Sequence, residues 1–316
     1  MMIVPEPVDR QISTESANRS GSGVRPRPLA GLSQWLVGRR ARVYWPDVTA
    51  VVALAVLTAA YFWTLIFTND YTVLAFPDDS IQSFTWYQYL SRALGQGVFP
   101  LWDPYTLSGH SFIGEIQTGV FYPPNLILAL ASAGLPISSV QIESLLIIHV
   151  FMASLFTYAL ARYLGLGVLP SLVSGVAFAF GGVVIDRIQA QTNIFLGLVW
   201  LPLALLCLEA GINKRSVALS AGSGLSLALA LLAGHIEPPY HIAIALVSLT
   251  AWHIIQDTGP KRFWAILCGL VALVTGGLAS AVQILPSIEY APLSMRALGG
   301  ADLVASNARV PTHLSP

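Results

Sequence analysis

Two adjacent carboxylates, Asp78 and Asp79, stand in the run AFPDDSIQ, between a long apolar stretch and an amphipathic one. A carboxylate held at a membrane surface can accept a proton from an attacking hydroxyl or hold a divalent metal. Asp79 also has a structural reading, because Asp79-Ser80-Ile81-Gln82 matches a capping box. Asp78 is left open by it. Further on, FPLWDPYTLSGHSFIGEIQTGVFYPPN carries Trp102, Asp103, His110 and Glu115 among aromatic residues. It reads either as a binding wall of aromatic faces and a few polar groups or as interfacial anchors. In LLAGHIEPPYH, His235, Glu237 and His241 crowd one hairpin, but their spacing is not that of a zinc signature such as HExxH. Arg92 and Arg296 suit an anion such as phosphate, or simply a soluble loop. His149 lies inside an apolar run, where a neutral ring bonded between helices is the plain account. GxxxxGK[ST] and GxSxG are absent, as is GxGxxG in a strand-helix setting, so nucleotide-driven and serine-hydrolase chemistry lack support. Cys207 and Cys268 sit in apolar runs and offer neither a disulfide framework nor a CxxC site.

The elements that must position these residues are set by composition. Of 316 residues, 55% are hydrophobic and 10% charged, with a mean hydropathy of +0.67. A soluble globular chain carries about 25% charged residues, so the solvent for most of this chain is lipid. Its net charge of zero argues against a nucleic-acid partner, since phosphate neutralisation needs a cationic excess. The pattern predicts an all-α polytopic bundle with seven spans, at 48–68, 144–161, 168–185, 188–208, 216–234, 238–256 and 263–285. The apolar piece 120–138 holds Pro123, Pro124 and Pro136, and is expected to be a short interfacial or re-entrant helix.

Charge placement gives the orientation. With the N-terminus inside, twelve Lys and Arg fall on the cytoplasmic side, and only Arg92, Arg187, Arg296 and Arg309 fall outside. Residues 1–47, rich in Arg, Ser, Pro and Gly, read as a disordered cytoplasmic tail. Residues 48–285 form the transmembrane domain, its first outer loop being 69–143, and 286–316 form an outer segment. Within the loop, Ile81, Phe84, Tyr87, Leu90 and Leu94 recur at spacings of three and four, which predicts an amphipathic helix in the interface plane.

In their order along roughly residues 45–300, FPDDSIQSFTWY, PLWDPYTLSGHSF, FYPPNLILAL, LLAGHIEPPYH and LPSIEYAPLSMR resemble the YfhO-like bacterial membrane proteins of the GT-C glycosyltransferase superfamily. The resemblance implies a polytopic transferase of the bacterial cytoplasmic membrane that uses a polyprenyl-phosphate sugar on the outer face. Its acidic catalytic residue falls on Asp78 or Asp79. Relatives' hairpins read glycine, histidine, proline, glutamine, whereas Ile236 and Glu237 hold the last two places here. Relatives also continue with more spans, so this chain is expected to be an N-terminal portion.

The expected reaction is a single displacement onto a hydroxyl of a cell-envelope acceptor. Asp78 or Asp79 takes the proton, Arg92 or Arg296 offsets the phosphate, and Trp102, Asp103, His110, Glu115, His235 and Glu237 contact substrate. No cofactor is required, although a divalent metal is compatible. The partners are then the sugar lipid, its acceptor and membrane lipid. The rival readings are a transporter or lipid flippase, whose polar groups would sit near the midplane, and a non-catalytic scaffold.

Overall fold

The structure, a computed structural model, describes residues 45–68, 71–74, 78–106, 109–132 and 134–294. Residues 1–44 of the expected tail, Arg296 and Arg309 lie outside them, whereas residues 45–47, expected in the disordered tail, open the first helix. The chain is an all-α polytopic transmembrane bundle. Its helices are α1 (Trp45–Tyr61), α2 (Trp63–Phe67), α3 (Phe84–Gly95), α4 (Pro123–Ala131), α5 (Ser139–Tyr163), α6 (Val168–Ala179), α7 (Gly182–Ala190), α8 (Thr192–Leu198), α9 (Leu201–Lys214), α10 (Val217–Leu232), α11 (Glu237–Gln256) and α12 (Pro260–Tyr290). Among the described residues, the sheet is limited to β1 (Trp102–Asp103) and antiparallel β2 (His110–Ser111).

Among the described residues, five segments are long and apolar enough to cross a membrane: Ser139–Tyr163, Val168–Ala190, Thr192–Lys214, Glu237–Gln256 and Pro260–Leu293. Two shorter apolar helices, α1 and α10, occupy the other two expected spans. Helix α1 resumes as α2 after a break at Phe62. The 16 residues of α10 reach about 24 Å.

The termini of these helices follow local chemistry. Ser138 Oγ accepts from Gln141 N–H at 3.3 Å while Gln141 Oε1 accepts from Ser138 N–H at 2.9 Å, a reciprocal capping box that starts α5. Ser216 caps α10 by accepting from Leu219 N–H. In α4, Pro123 and Pro124 are the first two residues, where a missing N–H costs nothing. With nine residues, α4 is about 13 Å long and does not span. Helix α10 crosses α12 so closely that a Cβ on Gly224 would lie 2.4 Å from the Ala272 carbonyl.

Contacts sort the helix ends onto two sides. At one end, Gln283 Nε2 donates to the Ile113 carbonyl (2.9 Å), Ser287 to Gly114 (2.9 Å) and Asn193 to Gln117 (2.7 Å). The end of α12 and the α7–α8 turn therefore meet the first loop. At the opposite, basic end, Asp47 at the start of α1 takes hydrogen bonds from Arg162 Nε (2.6 Å) and Tyr158 (2.6 Å) at the end of α5.

The loop is built onto the bundle. Glu143 is buried and accepts from Thr72 Oγ1 (2.6 Å) and Val73 N–H (3.1 Å), tying the returning chain to α5. Gln88 grips Ile137 through both its backbone groups, and Ser91 donates to Leu135. Helix α3 is entered through a π-helical turn, Asp78–Ser83. A π turn adds a residue per turn and so rotates what precedes it relative to an α-helical stripe. Ile81 consequently leaves the expected apolar face and is 69% exposed, while Trp86, Tyr87, Leu90 and Ala93 are buried in the protein. Asp79 lies inside this turn rather than at a non-helical boundary, and Ser83, which precedes α3, makes no side-chain cap.

Candidate functional site

A polar cleft opens at the loop end where four separate segments converge. The π turn supplies Gln82 and Ser83, the 3-10 turn Ile116–Thr118 supplies Gln117, the α7–α8 junction supplies Gln191, Thr192 and Asn193, and the α10–α11 hairpin supplies His235. Each segment is locked locally. Glu115 Oε1 accepts from Gln117 N–H (3.1 Å) and so starts the 3-10 turn. Gly234 adopts φ +106°, and a Cβ there would stand 3.1 Å from Gln117 O and 3.2 Å from Asn193. His235 Nδ1 accepts the Glu237 N–H at 3.1 Å. The ring is half-buried, and this burial holds its pKa below the ordinary value; Glu237 opposes the shift and Arg187 reinforces it. Arg187 itself donates to Gln191 Oε1 at the cleft's edge. The π turn packs against α7, the helix that carries Arg187. Asp78 and Asp79 open that turn; their side chains lie outside the described residues.

The remaining sequence candidates occupy a second place. A cleft of about 270 Å³ is walled by Phe84, Tyr89 and Tyr105, floored by Asp103 and edged by the exposed Arg92. Arg92 is nine residues beyond Ser83 on α3, about 13 Å along the axis. Asp103 is buried and already engaged, accepting from Tyr105 N–H (2.8 Å) and Thr106 Oγ1 (2.7 Å), so it shapes the β1–β2 turn. His110 is its cross-strand partner, with Nδ1 4.0 Å from Asp103 Oδ2 and without a hydrogen-bond partner among the described residues. Trp102 is 55% exposed, its ring lying over Gly109. Burial raises the Tyr89 pKa, and the Asp103 and Tyr105 charges add to the shift. Tyr89 donates to the Trp102 carbonyl. Glu237 is exposed and meets His235 through its backbone.

His149 is accounted for by packing. Its Nδ1 lies 2.7 Å from the Leu145 carbonyl and its Nε2 2.7 Å from Tyr122 Oη, which also accepts from Trp200 Nε1 at 3.0 Å. At the basic end, a second buried group was not singled out by sequence. His253 Nε2 lies 2.8 Å from Glu209 Oε2 and its Nδ1 2.8 Å from Asp257 Oδ2. Asn213 donates to Glu209 (2.7 Å), and Lys261 lies 3.2 Å from Asp257. Burial pushes the Asp257 carboxyl up, but bonds from His253 and Lys261 outweigh it and hold the group below its ordinary value.

The structure thus joins His235 to the Asp78–Asp79 turn, gives Glu115 a supporting part through Gln117, and sets Arg92, Asp103 and Trp102 apart. Sequence reasoning missed Gln82, Gln117, Gln191 and Asn193 because scattered amides form no motif. The signal for Arg187 was its place among the few cations expected on the outer side. The chain matches no protein-family model, no curated protein and no solved structure.

Proposed function

We propose that this chain belongs to a membrane glycosyltransferase of the YfhO-like, GT-C type. It moves a sugar from a polyprenyl-phosphate donor to a cell-envelope hydroxyl on the outer face of a bacterial cytoplasmic membrane. The supporting observation is the convergence of the Asp78–Asp79 turn, the cation-bearing α7 and the hairpin His235 around one polar cleft. In this reading a carboxylate of the turn takes the acceptor's proton, the freed oxygen attacks the anomeric carbon, and the glycosidic pair leaves with the phosphate. Arg187 is better situated than Arg92 to offset that phosphate, because α7 packs on the turn whereas Arg92 lies farther along α3.

The test is transfer of radiolabelled sugar by the full-length protein in proteoliposomes, comparing Asp78→Asn and Asp79→Asn. Asparagine keeps the shape and removes the base. One variant, Asp78→Asn by preference, is expected to insert normally and lose at least about a hundredfold, roughly 2.7 kcal/mol of barrier. Near-normal turnover in both variants would end the carboxylate mechanism. The transporter reading draws on Glu209 and His253, ionisable groups buried within spans. Labelled donor crossing the vesicle bilayer without transfer would put that reading ahead.

A further inference from the structure

The polar cleft has an unused hydrogen-bonding inventory that distinguishes ligand chemistries. His235 Nδ1 is occupied as an acceptor, so the neutral ring carries its proton on Nε2, a donor. Gln117 Oε1 accepts from Gln82 Nε2 at 3.4 Å, leaving Gln117 Nε2 as a donor and Gln82 Oε1 as an acceptor. Gln191 Oε1 is taken by Arg187, which leaves its Nε2 as a donor. Asn193 Nδ2 donates to the Gln117 carbonyl, which leaves Oδ1 as an acceptor.

None of these five residues is formally charged at pH 7 with His neutral, and their spare groups, three donors and two acceptors, are of both kinds. A phosphate or carboxylate needs donors alone and a cation needs acceptors alone. A hydroxyl is both, so a mixed wall matches hydroxyls and leaves an ionic ligand facing groups of the wrong sense. Size narrows the ligand further. The cleft's cavity is about 50 Å³, more than the roughly 10–15 Å³ that holds one water and far less than the 270 Å³ of the aromatic cleft. A space of that size suits part of a ring rather than a whole one.

We propose that this cleft binds one edge of a sugar ring through adjacent hydroxyls and selects edges that carry no ionic group, a donor's phosphate lying outside it towards Arg187. The proposal deepens the transfer reading and rests on it for the choice of a sugar among polyols. Gln117 and His235 are its specificity-determining donors.

The experiment is saturation-transfer NMR on the full chain in detergent micelles, without any donor lipid. The probes are the methyl glycosides of glucose, galactose and N-acetylglucosamine, with methyl glucuronoside and inorganic phosphate as ionic competitors. At least one neutral glycoside is expected to receive saturation, and neither competitor to displace it. His235→Phe and the isosteric Gln117→Glu, which retains the Gln82 contact, should each weaken binding at least about tenfold, the equivalent of one lost hydrogen bond of roughly 1.4 kcal/mol. Displacement by phosphate, undiminished saturation in both cleft variants, or no neutral glycoside receiving saturation would overturn the proposal. Because no transfer is measured, loss of the transferase reading would appear instead as bound glycoside with no turnover.

Discussion

At the basic end, Glu209, His253, Asp257 and Lys261 use their polar groups on one another, each carboxylate oxygen and each ring nitrogen having a partner within 3.2 Å. At the loop end, Gln82, Gln117, Gln191, Asn193 and His235 make bonds to one another or to Arg187 and the Glu237 N–H that leave one side-chain group of each without a partner among the described residues. Both clusters join segments far apart in the chain. The difference is that charge in a dry site is tolerated only when fully engaged, whereas neutral amides at a water-facing mouth can wait for a ligand. Strong ionic contacts thus mark the place that holds the helices together. Incomplete, uncharged bonding marks the place we propose for a ligand.

The comparison breaks most visibly at Glu209. Glu209→Ala leaves the buried Nε2 of His253 without its partner while Asp257 keeps Nδ1, and is expected to cost about 3–5 kcal/mol, read as a lower unfolding temperature in micelles. Replacing Glu209 and His253 together by leucine should recover most of that loss, since a well-packed apolar pair of similar volume is often as stable as a buried ion pair. If the double variant is as unstable as the single one, the cluster does more than clamp helices.

Between the two ends, Tyr122→Phe removes the hydroxyl shared by His149 and Trp200. It should cost about 1–3 kcal/mol, the penalty for buried groups left unsatisfied, and the same unfolding assay measures it. Loss of glycoside binding at unchanged stability would instead make His149 part of the site.

Acid sharpens the contrast. The Asp257 value is depressed in the folded chain, so its contribution is complete above the unfolded value, about 3.9. It is lost as pH falls through the lower folded one. Unfolding temperature should drop on acidification below about pH 4 and do so less in Asp257→Asn. His235 is also depressed, and a ring already neutral at pH 7 stays so down to about its unfolded value of 6.5. Glycoside binding should therefore be flat from pH 8 to about 6.5. The smallest effect is expected at Glu237→Gln. Only its backbone meets His235, so stability should change by less than about 0.5 kcal/mol and binding hardly at all.

The bundle was legible because lipid writes itself into sequence as length and apolarity: five of the expected spans fall on segments long and apolar enough to cross a membrane and two on shorter apolar helices, and the prolines at 123 and 124 mark a short one. The π turn was not legible, since Asp79-Ser80-Ile81-Gln82 carries a capping pattern and only tertiary packing chooses between the two. Glu209 and His253 escaped notice because each stands near the end of an apolar run and reads as a boundary residue. Their spacing held a usable signal, for Asn213 follows Glu209, Asp257 follows His253 and Lys261 follows Asp257, each by four positions. His235 was visible as a hairpin residue, but the amides around it come from positions as distant as 82 and 193, and no linear pattern joins them.

Helix α10, which delivers His235, has 16 residues and reaches about 24 Å against a hydrocarbon layer of about 30 Å. Such hydrophobic mismatch draws the bilayer thinner around the short element, at fractions of a kcal/mol per ångström. A bilayer thinned in this way would bring the leaflet surface down to the mouth beside His235. Glycoside binding is then expected to vary with lipid chain length, acting through the helix that leads into the histidine's hairpin and without a change in any residue that lines the cleft.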